Sequence, residues 1–578
     1  MGSPVSSQAH HLTPLQRLIS LLRPEATDIA VVVLFSVVVG ILSLAMPITV
    51  EALVNTVAFG RYLQPLFILA MMLFTFLGFA AILKGLQTYI SEVIQRRIFV
   101  RVVAYLAERI PRVNRDAFAK GHGPELLNRF FEVITVQKSG ALLVLDGITI
   151  VITAFIGMIV LAFYHPFLLG FNLVLVAAVL FAVFALGRGA VSSAIEESYK
   201  KYAVAAWLQQ LALYPTTFKL GGGLPQAMEK ADELTVAYLE ARQSHFHVLF
   251  RQIIFTLGLQ AIAAACLLGI GGFLVINGQL TLGQLVASEL IVAVVVGSFA
   301  KLGKHMESYY DLLAACDKLG HLFDLPTERS EGITPPRHRL GARVQLHGVE
   351  LELGKAQCSP ALTMTIEAGE RVAITGPAGS GKSSILEMLY ASQEPSHGYV
   401  EFDSLDLRSV APQRLREQVA LVHSIEILEG TIAENIHLHR DSVNHQQVRS
   451  ALEAVGLWNE IMALEGGLEA RVPLGGGTIS NSQAIRLMLA RAIAGRPRLI
   501  LIDSILDQLS EIHLRFVFDA IATPDRSCTV ILVTSRESLF ELCDRTIPLQ
   551  PAKDPNSLAN NNLLSAPQSL PRLNLVSL

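Results

Sequence analysis

Charged side chains are scarce in this sequence. They account for 16% of the 578 residues, whereas apolar side chains account for 52%. Soluble domains carry about 25% charged residues, so this deficit argues against an ordinary soluble enzyme and favours a membrane protein. The net charge of −3 also gives no sign of the basic domain that nucleic-acid binding requires, and we expect no nucleic-acid partner.

Cysteine is scarce as well, and it follows no pattern. The sequence contains five cysteines without metal-ligand spacing, namely Cys266, Cys316, Cys358, Cys528 and Cys543. An odd, scattered set of this kind is typical of free thiols in a reducing compartment. The first eleven residues lack a basic region followed by a short apolar core, so we expect no cleaved secretory signal.

The composition changes along the chain. Apolar residues are concentrated in the first half, the second half has the composition of a soluble α/β domain, and the segment between them is rich in proline, glycine and charge, as linkers are. The predicted organisation is a disordered N-terminus (1–11), a membrane domain (12–324), a linker (325–342), a soluble α/β domain (343–550) and a disordered tail (551–578).

The first half contains uncharged stretches long enough to cross a bilayer, which requires about 20 apolar residues per helix. These stretches are Ile29–Val50, Leu63–Leu83, Gly147–Gly187 with a break at Tyr164-His165-Pro166, and Gln252–Ser288 with a turn at Asn277-Gly278, after which a last span runs from Leu280 to Ala300. We therefore predict six membrane-spanning helices. The long segments after the second and fourth spans are rich in arginine and lysine, which predicts that both segments and both termini are cytoplasmic.

One carboxylate interrupts the sixth span. Glu289 lies midway along it, and a charge at that depth is expected to face the bundle interior or a watery cavity rather than lipid. Two interpretations stay open, namely contact with a substrate or a proton, and an interhelical hydrogen bond that only orders the bundle.

The first motif with a chemical role in the second half of the chain is a phosphate-binding loop. The short apolar strand Arg371-Val-Ala-Ile-Thr375 leads into a G-x-x-x-x-G-K-S loop, and a helical pattern follows. Glycines let backbone N–H groups surround phosphates, the lysine reaches the β- and γ-phosphates, and the first serine after it ligates Mg²⁺. The candidate nucleotide-binding residues are Gly376, Pro377, Ala378, Gly379, Ser380, Gly381, Lys382, Ser383 and Ser384.

Two further apolar runs complete the predicted sheet. Leu499-Ile-Leu-Ile-Asp503 is interpreted as a buried strand whose terminal Asp503 contributes to the Mg²⁺ site with Ser383, and Thr529–Val533 is interpreted as its parallel neighbour. Strands that alternate with helices predict a doubly wound α/β fold with its ligand at the carboxyl ends of the strands. ATP and Mg²⁺ are therefore the expected ligands.

With these motifs in place, the chain resembles half-transporters of the ABC exporter family from about Leu12 to Gln550. The resemblance lies in six spans with long cytoplasmic extensions followed by a P-loop, by Thr431-Ile-Ala-Glu-Asn-Ile436, by Ala490-Arg-Ala492 and by the Asp503 strand. It implies a six-span helical domain fused to a P-loop nucleotide-binding domain. It also implies that residues 115–129 and 214–223 are coupling helices that contact nucleotide-binding domains.

The sequence departs from this family at the catalytic positions. The family signature LSGGQ is replaced by Ile479-Ser-Asn-Ser-Gln483, which keeps Ser480 and Gln483 but neither glycine. Serines replace the family's Q-loop glutamine, catalytic glutamate and switch histidine, at Ser424, Ser504 and Ser535 respectively. The residue expected to stack on adenine is Leu353 instead of an aromatic. A serine hydroxyl is not basic at neutral pH, so these changes predict an ABC-type domain that binds Mg-ATP and hydrolyses it poorly or not at all.

The sequence thus predicts an ABC transporter subunit in the cell's inner (plasma) membrane, with its nucleotide-binding domain in the cytoplasm. We expect a second ABC half-transporter as partner, in a hetero-oligomer rather than a homodimer, because each ABC site combines the P-loop of one subunit with the signature of the other. A membrane adaptor is a further possible partner. The alternatives are an ATP-binding membrane regulator that does not transport and a self-sufficient homodimeric exporter.

Overall fold

The computed structural model describes residues 12–59, 63–115, 117, 123–351, 359–522 and 527–551, and the chain divides into two compact units, Met1–Thr327 and Glu328–Leu578. The first unit is helical. Its helices are α1 (Pro14–Leu22), α2 (Ala26–Ser43), α3 (Ala45–Phe59), α4 (Leu63–Arg109), α5 (Gly123–Asn128), α6 (Glu132–Leu142), α7 (Ile148–Tyr164), α8 (Pro166–Phe184), α9 (Ala190–Leu213), α10 (Pro215–Phe218), α11 (Gly223–Ile276), α12 (Leu282–Ala300) and α13 (Leu302–Phe323).

Five helical segments among the described residues are long and apolar enough to cross a membrane, namely Pro14–Thr56, Gln64–Arg112, Leu126–Tyr164, Pro166–Phe184 and Gly223–Ile276. A sixth apolar segment, Leu282–Val295, is shorter. The break expected inside Gly147–Gly187 falls at His165, which has an extended backbone, caps α8 by accepting from the Phe167 N–H, and precedes a proline at the first helical position.

Several spanning helices extend far beyond the length that a bilayer requires. Helices α4 and α11 run for 47 and 54 residues, and the first half of helix α9 carries the charged residues Glu196, Glu197, Lys200 and Lys201. The turn between α9 and α11 contains the short helix α10, and α11 begins after Gly222, whose φ of 88° suits only glycine well. Residues 214–223, predicted as a coupling helix, form this turn, whereas residues 116 and 118–122 of the segment 115–129 lie outside the described residues.

Ion pairs join the N-terminal helix and its turn to the long helices. Glu25 is buried and pairs with Arg97 and Arg101 of α4. The buried guanidinium of Arg17 pairs with Asp324 and lies where a side chain on Gly320 would otherwise project. Because each of these buried charges has an opposite charge beside it, α1 is fixed against the end of α13, and the turn after α1 is fixed against α4.

Lys318 is an unusual buried charge in α13, beyond the apolar stretch that ends at Val295. The residue is fully buried, its Nζ lies over the ring of Tyr199, and no hydrogen-bond acceptor among the described residues contacts that nitrogen. The nearest carboxylate oxygen belongs to Asp317, at 3.8 Å. Burial lowers the pKa of Lys318 from its ordinary value of 10.5 to about 7, because desolvation disfavours the charged form.

Lys318→Met should therefore stabilise the protein. The folded state gives up the Lys318 proton near pH 7 and the unfolded state near pH 10.5, so the free energy of unfolding contributed by this group increases as pH rises between these values. At pH 7 the substitution should raise the thermal unfolding temperature, and it should flatten the rise in that temperature between pH 7 and pH 9.5. Lys219→Met, at an exposed position, is the matched control. A lower unfolding temperature for Lys318→Met at every pH would contradict this account.

The strands of the second unit are β1 (Val344–Glu350), β2 (Leu362–Ile366), β3 (Arg371–Thr375), β4 (His397–Phe402), β5 (Leu405–Asp406), β6 (Val419–Val422), β7 (Gly430–Thr431), β8 (Arg471–Val472), β9 (Leu499–Asp503), β10 (Thr529–Val533) and β11 (Arg545–Pro548). They form a five-stranded parallel sheet of order β11-β3-β10-β9-β6 and a four-stranded antiparallel sheet of order β2-β1-β4-β5, and β7 pairs with β8. Their helices are α14 (Lys382–Leu389), α15 (Pro412–Leu415), α16 (Ile432–His437), α17 (His445–Ala454), α18 (Trp458–Met462), α19 (Asn481–Ala494), α20 (Glu511–Ile521) and α21 (Glu537–Phe540).

The parallel sheet is the core of this unit. Every residue of β10 is buried, as are the first four of β9. Strands buried on both faces are continuous apolar runs, which is why Leu499–Asp503 and Thr529–Val533 could be recognised from sequence. The expected α/β fold is therefore confirmed, and its strand ends position the candidate site.

Residues 328–342 belong to the second unit and make specific contacts within it. Arg416 forms a two-pronged ion pair with Glu328, and Gln418 donates a hydrogen bond of 2.8 Å to the carbonyl of Pro335. The buried guanidinium of Arg498 donates to the carbonyls of Leu340 and Gly341. These residues thus pack along the edge of the α/β unit.

Candidate nucleotide site

The phosphate-binding loop connects β3 to α14, as the motif requires. Gly376, Gly379 and Gly381 have φ values of 150°, 77° and 86°, in the region that favours glycine. At Gly376 a side chain would also meet the carbonyl of Leu549 at 2.8 Å. This backbone path turns the loop around the start of α14, where unpaired N–H groups and the helix dipole favour an anion.

Lys382 is the first residue of α14, and its side chain bends back over the loop. Its Nζ donates hydrogen bonds of 2.8 and 2.7 Å to the carbonyls of Gly376 and Pro377. Ser383 is exposed beside it, Ser384 is half-buried, and Ser380 is buried with a hydroxyl that has no partner among the described residues. The ammonium is thus held above the loop, where it can contact phosphate oxygens.

The ends of β9 and β10 bring Asp503 and the substituted catalytic positions to one edge. Asp503 is the last residue of β9 and pairs in register with Val533 of β10. Ser504 follows with a φ of 54°, a conformation that costs a non-glycine residue about 1–2 kcal/mol. Its N–H donates to the Val533 carbonyl at 2.9 Å, and its hydroxyl donates to Asp503 Oδ1 at 3.2 Å. The exposed hydroxyl of Ser504 therefore lies beside the Asp503 carboxylate.

A second carboxylate at this edge was not singled out from the sequence. The N–H and the hydroxyl of Ser535 both donate to Asp507 Oδ2 at 3.1 Å, and the hydroxyl of Thr534 donates to Asp507 Oδ1. Asp507 thus fixes the residues that follow β10. The only signal for it in the sequence is a carboxylate four positions after Asp503, which is weak because acidic residues often follow strands.

Ser480 and Gln483, the two residues that match the family signature, form the N-terminal cap of α19. Ser480 is the N-cap of α19, where its Oγ accepts from the Gln483 N–H at 3.2 Å and its own N–H donates to Gln483 Oε1 at 2.8 Å. The Gln483 amide donates to Glu460, which also pairs with the buried Arg486. This reciprocal capping box satisfies two backbone donors at the start of α19.

The two substituted residues of the signature region contact the segment that connects β9 to α20. The amide of Asn481 donates to Gln508 Oε1 at 2.9 Å, and the hydroxyl of Ser482 lies 3.3 Å from His513 Nδ1. We refer to residues 507–513, which include the first residues of α20, as the connecting segment. Through Asp507 it contacts the end of β10, and through Gln508 and His513 it contacts the start of α19.

Ser424 lies just beyond the carboxyl end of β6, which neighbours β9 in the sheet. Its hydroxyl donates to Glu426 Oε1 at 3.2 Å and lies 3.3 Å from His423 Nε2. The structure therefore places Asp503 at the carboxyl end of β9, and Ser424, Ser504 and Ser535 just beyond the carboxyl ends of β6, β9 and β10. Leu353 lies outside the described residues.

Comparisons with known proteins agree with this architecture. The ABC transporter family model matches residues 360–506. The leukotoxin translocation ATP-binding protein LktB of Mannheimia glucosida is 24% identical over 538 residues, which span 89% of this chain and 73% of the relative. The ATP-dependent lipid A-core flippase of Burkholderia pseudomallei is 25% identical, over 84% of this chain and 82% of the relative.

A solved structure of a bacterial Atm1-family ABC exporter with ATP bound is similar over 95% of this chain and all of that chain, with a TM-score of 0.77 and 19% identity. Residues 360–506 therefore form an ABC transporter domain, and the chain has the fold of an exporter half-transporter, in which a membrane-spanning helical unit is fused to an ABC nucleotide-binding domain. It is an inner-membrane protein whose ABC domain is cytoplasmic. The family, fold class and location expected from the sequence are confirmed.

Lys382→Ala should weaken ATP binding strongly. The substitution removes the ammonium that lies over the loop, and a lost hydrogen bond to a charged group typically reduces affinity by about tenfold to a hundredfold. Binding of a fluorescent ATP analogue to the purified chain is the measurement. Arg515→Ala removes an exposed cation on α20 and should leave the affinity unchanged. Equal affinities for Lys382→Ala and the wild type would show that the loop does not bind phosphate.

Proposed function

We propose that this chain binds Mg-ATP with little or no hydrolysis and takes part in export as one subunit of an ABC transporter dimer. The observation that carries this proposal is the pair Ser504 and Ser535 at the strand ends where the family has its glutamate and histidine. Residues that hold the nucleotide are kept, and residues that activate water are not.

The geometry supports weak hydrolysis because serines occupy the positions after β9 and β10 where the family has its base and its imidazole. The hydroxyl of Ser504 is not basic at neutral pH and donates to Asp503. Asp507 is a carboxylate, but each of its oxygens accepts hydrogen bonds from Thr534 or Ser535. Loss of a positioned general base typically slows a reaction by about 10²–10⁴-fold, so the remaining activity should be very low.

The binding residues fit Mg-ATP. The loop and the start of α14 provide backbone N–H groups and the Lys382 ammonium for phosphates. The exposed hydroxyl of Ser383 and the carboxylate of Asp503 are oxygen ligands of the type that Mg²⁺ prefers. When bound, the ion would neutralise part of the charge of the phosphates, so ATP binding should depend on Mg²⁺.

A second, intact half-transporter is the partner that we favour. In a homodimer both composite sites would lack the glutamate and the histidine, and neither would be competent. A different partner could supply its own P-loop and catalytic residues, and this chain would complete that site through the start of α19. Asn481 and Ser482 already contact the connecting segment, so this completion would depend on backbone N–H groups and Ser480.

The similar proteins are named for different classes of substrate. One relative is named for leukotoxin translocation and another for lipid A-core flipping. We favour export of a peptide or protein, in which case a membrane adaptor would be a further partner. An ATP-binding membrane regulator and a self-sufficient homodimeric exporter are the alternatives.

The purified chain should bind ATP but release phosphate very slowly. Steady-state phosphate release should be close to that of Lys382→Ala, because both lack a working water-activating group. Ser504→Glu with Ser535→His should not restore normal turnover, since Ser424 and the substituted signature residues remain. Brisk phosphate release by the wild type that disappears in Lys382→Ala would refute the proposal and favour the homodimeric exporter.

Purification of this chain from its own cells at native expression should recover a second ABC half-transporter. Mass spectrometry identifies the partner, and phosphate release by the complex should greatly exceed that of the chain alone. The outcome against the hetero-oligomer is a complex in which this chain is the only ABC component and which still hydrolyses ATP. A complex of this chain alone without hydrolysis would favour the membrane regulator.

A further inference from the structure

Glu289 is the only charged residue in the stretches of sequence that predict the membrane-spanning helices. In the sequence, residues 29–50, 63–83, 147–187 and 252–300 contain no lysine, arginine or aspartate and no other glutamate. Glu289 is the eighth residue of α12 and lies at the middle of its apolar segment Leu282–Val295. At a rise of 1.5 Å per residue, the carboxylate is about 10 Å along the helix from its first residue.

The side chain of Glu289 is exposed on a face of α12 that the rest of the described unit does not cover. Leu282, Glu289 and Ala293 are all exposed, and Val286 between them is half-buried. These positions follow the spacing i, i+4, i+7 and i+11, which places them on one helical face. The opposite face is buried, with Ala287, Ile291 and Val295 at most 1% exposed.

A second carboxylate, Glu51, belongs to α3, which packs against α12, and the two carboxylates differ in their partners. Helix α12 packs on α3, where the Asn55 amide lies directly against Gly283. One turn before Asn55, Glu51 accepts a hydrogen bond of 2.6 Å from the Tyr164 hydroxyl. Glu289 is exposed and has neither a hydrogen bond nor an ion pair with any described residue.

An uncompensated carboxylate at this depth is not stable against lipid, because a charge in hydrocarbon is costly. The uncovered face must therefore line a watery cavity or a subunit interface. The spanning stretches of this chain supply no lysine or arginine to compensate the charge. The electrostatic field on this face is therefore negative, and it favours a ligand of the opposite sign.

We propose that Glu289 is a binding site for a positively charged group of the exported substrate. This inference rests on the proposed export function and adds the substrate class, namely a molecule that presents a cation to the membrane-spanning helices. A cation within contact distance of a poorly solvated carboxylate is attracted strongly, whereas a neutral amide at the same position offers only a hydrogen bond. Glu289 thus contributes to specificity by charge, and the apolar residues around it provide the surface for the rest of the ligand.

The probe is tetraphenylphosphonium, a lipophilic cation, and tetraphenylborate is the control because it has the same shape and the opposite charge. The full chain is purified from its own cells with any subunit that accompanies it and placed in nanodiscs of zwitterionic lipid. Empty nanodiscs report partitioning into lipid. The variants are Glu289→Gln and Glu289→Asp, and Glu92→Gln is the matched control, since Glu92 is exposed and pairs with Arg96 four positions away on α4. ATP binding is measured on every sample.

We expect saturable binding of the cation to the wild type and to Glu92→Gln, and binding about tenfold weaker or more in Glu289→Gln. Glu289→Asp, which keeps the charge, should retain most of the affinity. The inference is overturned by absence of saturable cation binding to the wild type, by equal binding to Glu289→Gln when that variant still binds ATP, or by equal binding of tetraphenylborate. Loss of ATP binding in the wild type would instead contradict the proposed function, so the two failures are distinguishable.

Discussion

The parallel pairing of β9 with β10 is the constraint on which the candidate site depends. Asp503 lies opposite Val533, and the chain continues on one strand into Ser504 and on the other into Thr534 and Ser535. Backbone hydrogen bonds fix this register, and a shift by one residue would turn every side chain to the opposite face of a strand buried on both sides. The pairing of the two strands therefore brings together the residues that follow them, independently of which side chains these residues carry. In this chain they include Ser504 and Ser535, at the positions where the family has a glutamate and a histidine.

The substitutions do more than remove functional groups. Asp507 accepts from Thr534 and Ser535, and the substituted signature residues Asn481 and Ser482 contact Gln508 and His513. The connecting segment 507–513 is thus bonded both to the end of β10 and to the start of α19. Polar groups that would face a nucleotide in a catalytic site instead form hydrogen bonds with one another. This arrangement favours a domain that binds ATP without hydrolysing it.

Much of the fold could be predicted because its signals are local. The P-loop is a glycine-rich turn between a strand and a helix, and β9 and β10 are continuous apolar runs. The spanning helices are uncharged stretches, and His165-Pro166 ends one of them. These features depend on neighbouring residues only, and the structure contains each of them.

Features that depend on distant residues could not be predicted. Asp507 acquires its role only when β9 and β10 are in register, and nothing in its neighbourhood marks it. Lys318 looks like a surface lysine in an amphipathic helix, yet it is buried against Tyr199 of α9. Residues 328–342 have the composition of a linker, but Glu328 pairs with Arg416 inside the second unit. Glu289 could be recognised as a charge within a span, whereas its exposed face depends on how α12 packs.

The most direct test of the central claim is the chemical fate of a single bound nucleotide. The purified chain is mixed with a substoichiometric amount of Mg-ATP labelled on the γ-phosphate, samples are quenched over several hours, and the label is separated into ATP and free phosphate. A domain that binds without catalysis should hold the label as intact ATP throughout. Conversion of the bound ATP into ADP and phosphate within one expected turnover time of an active ABC domain would contradict the account.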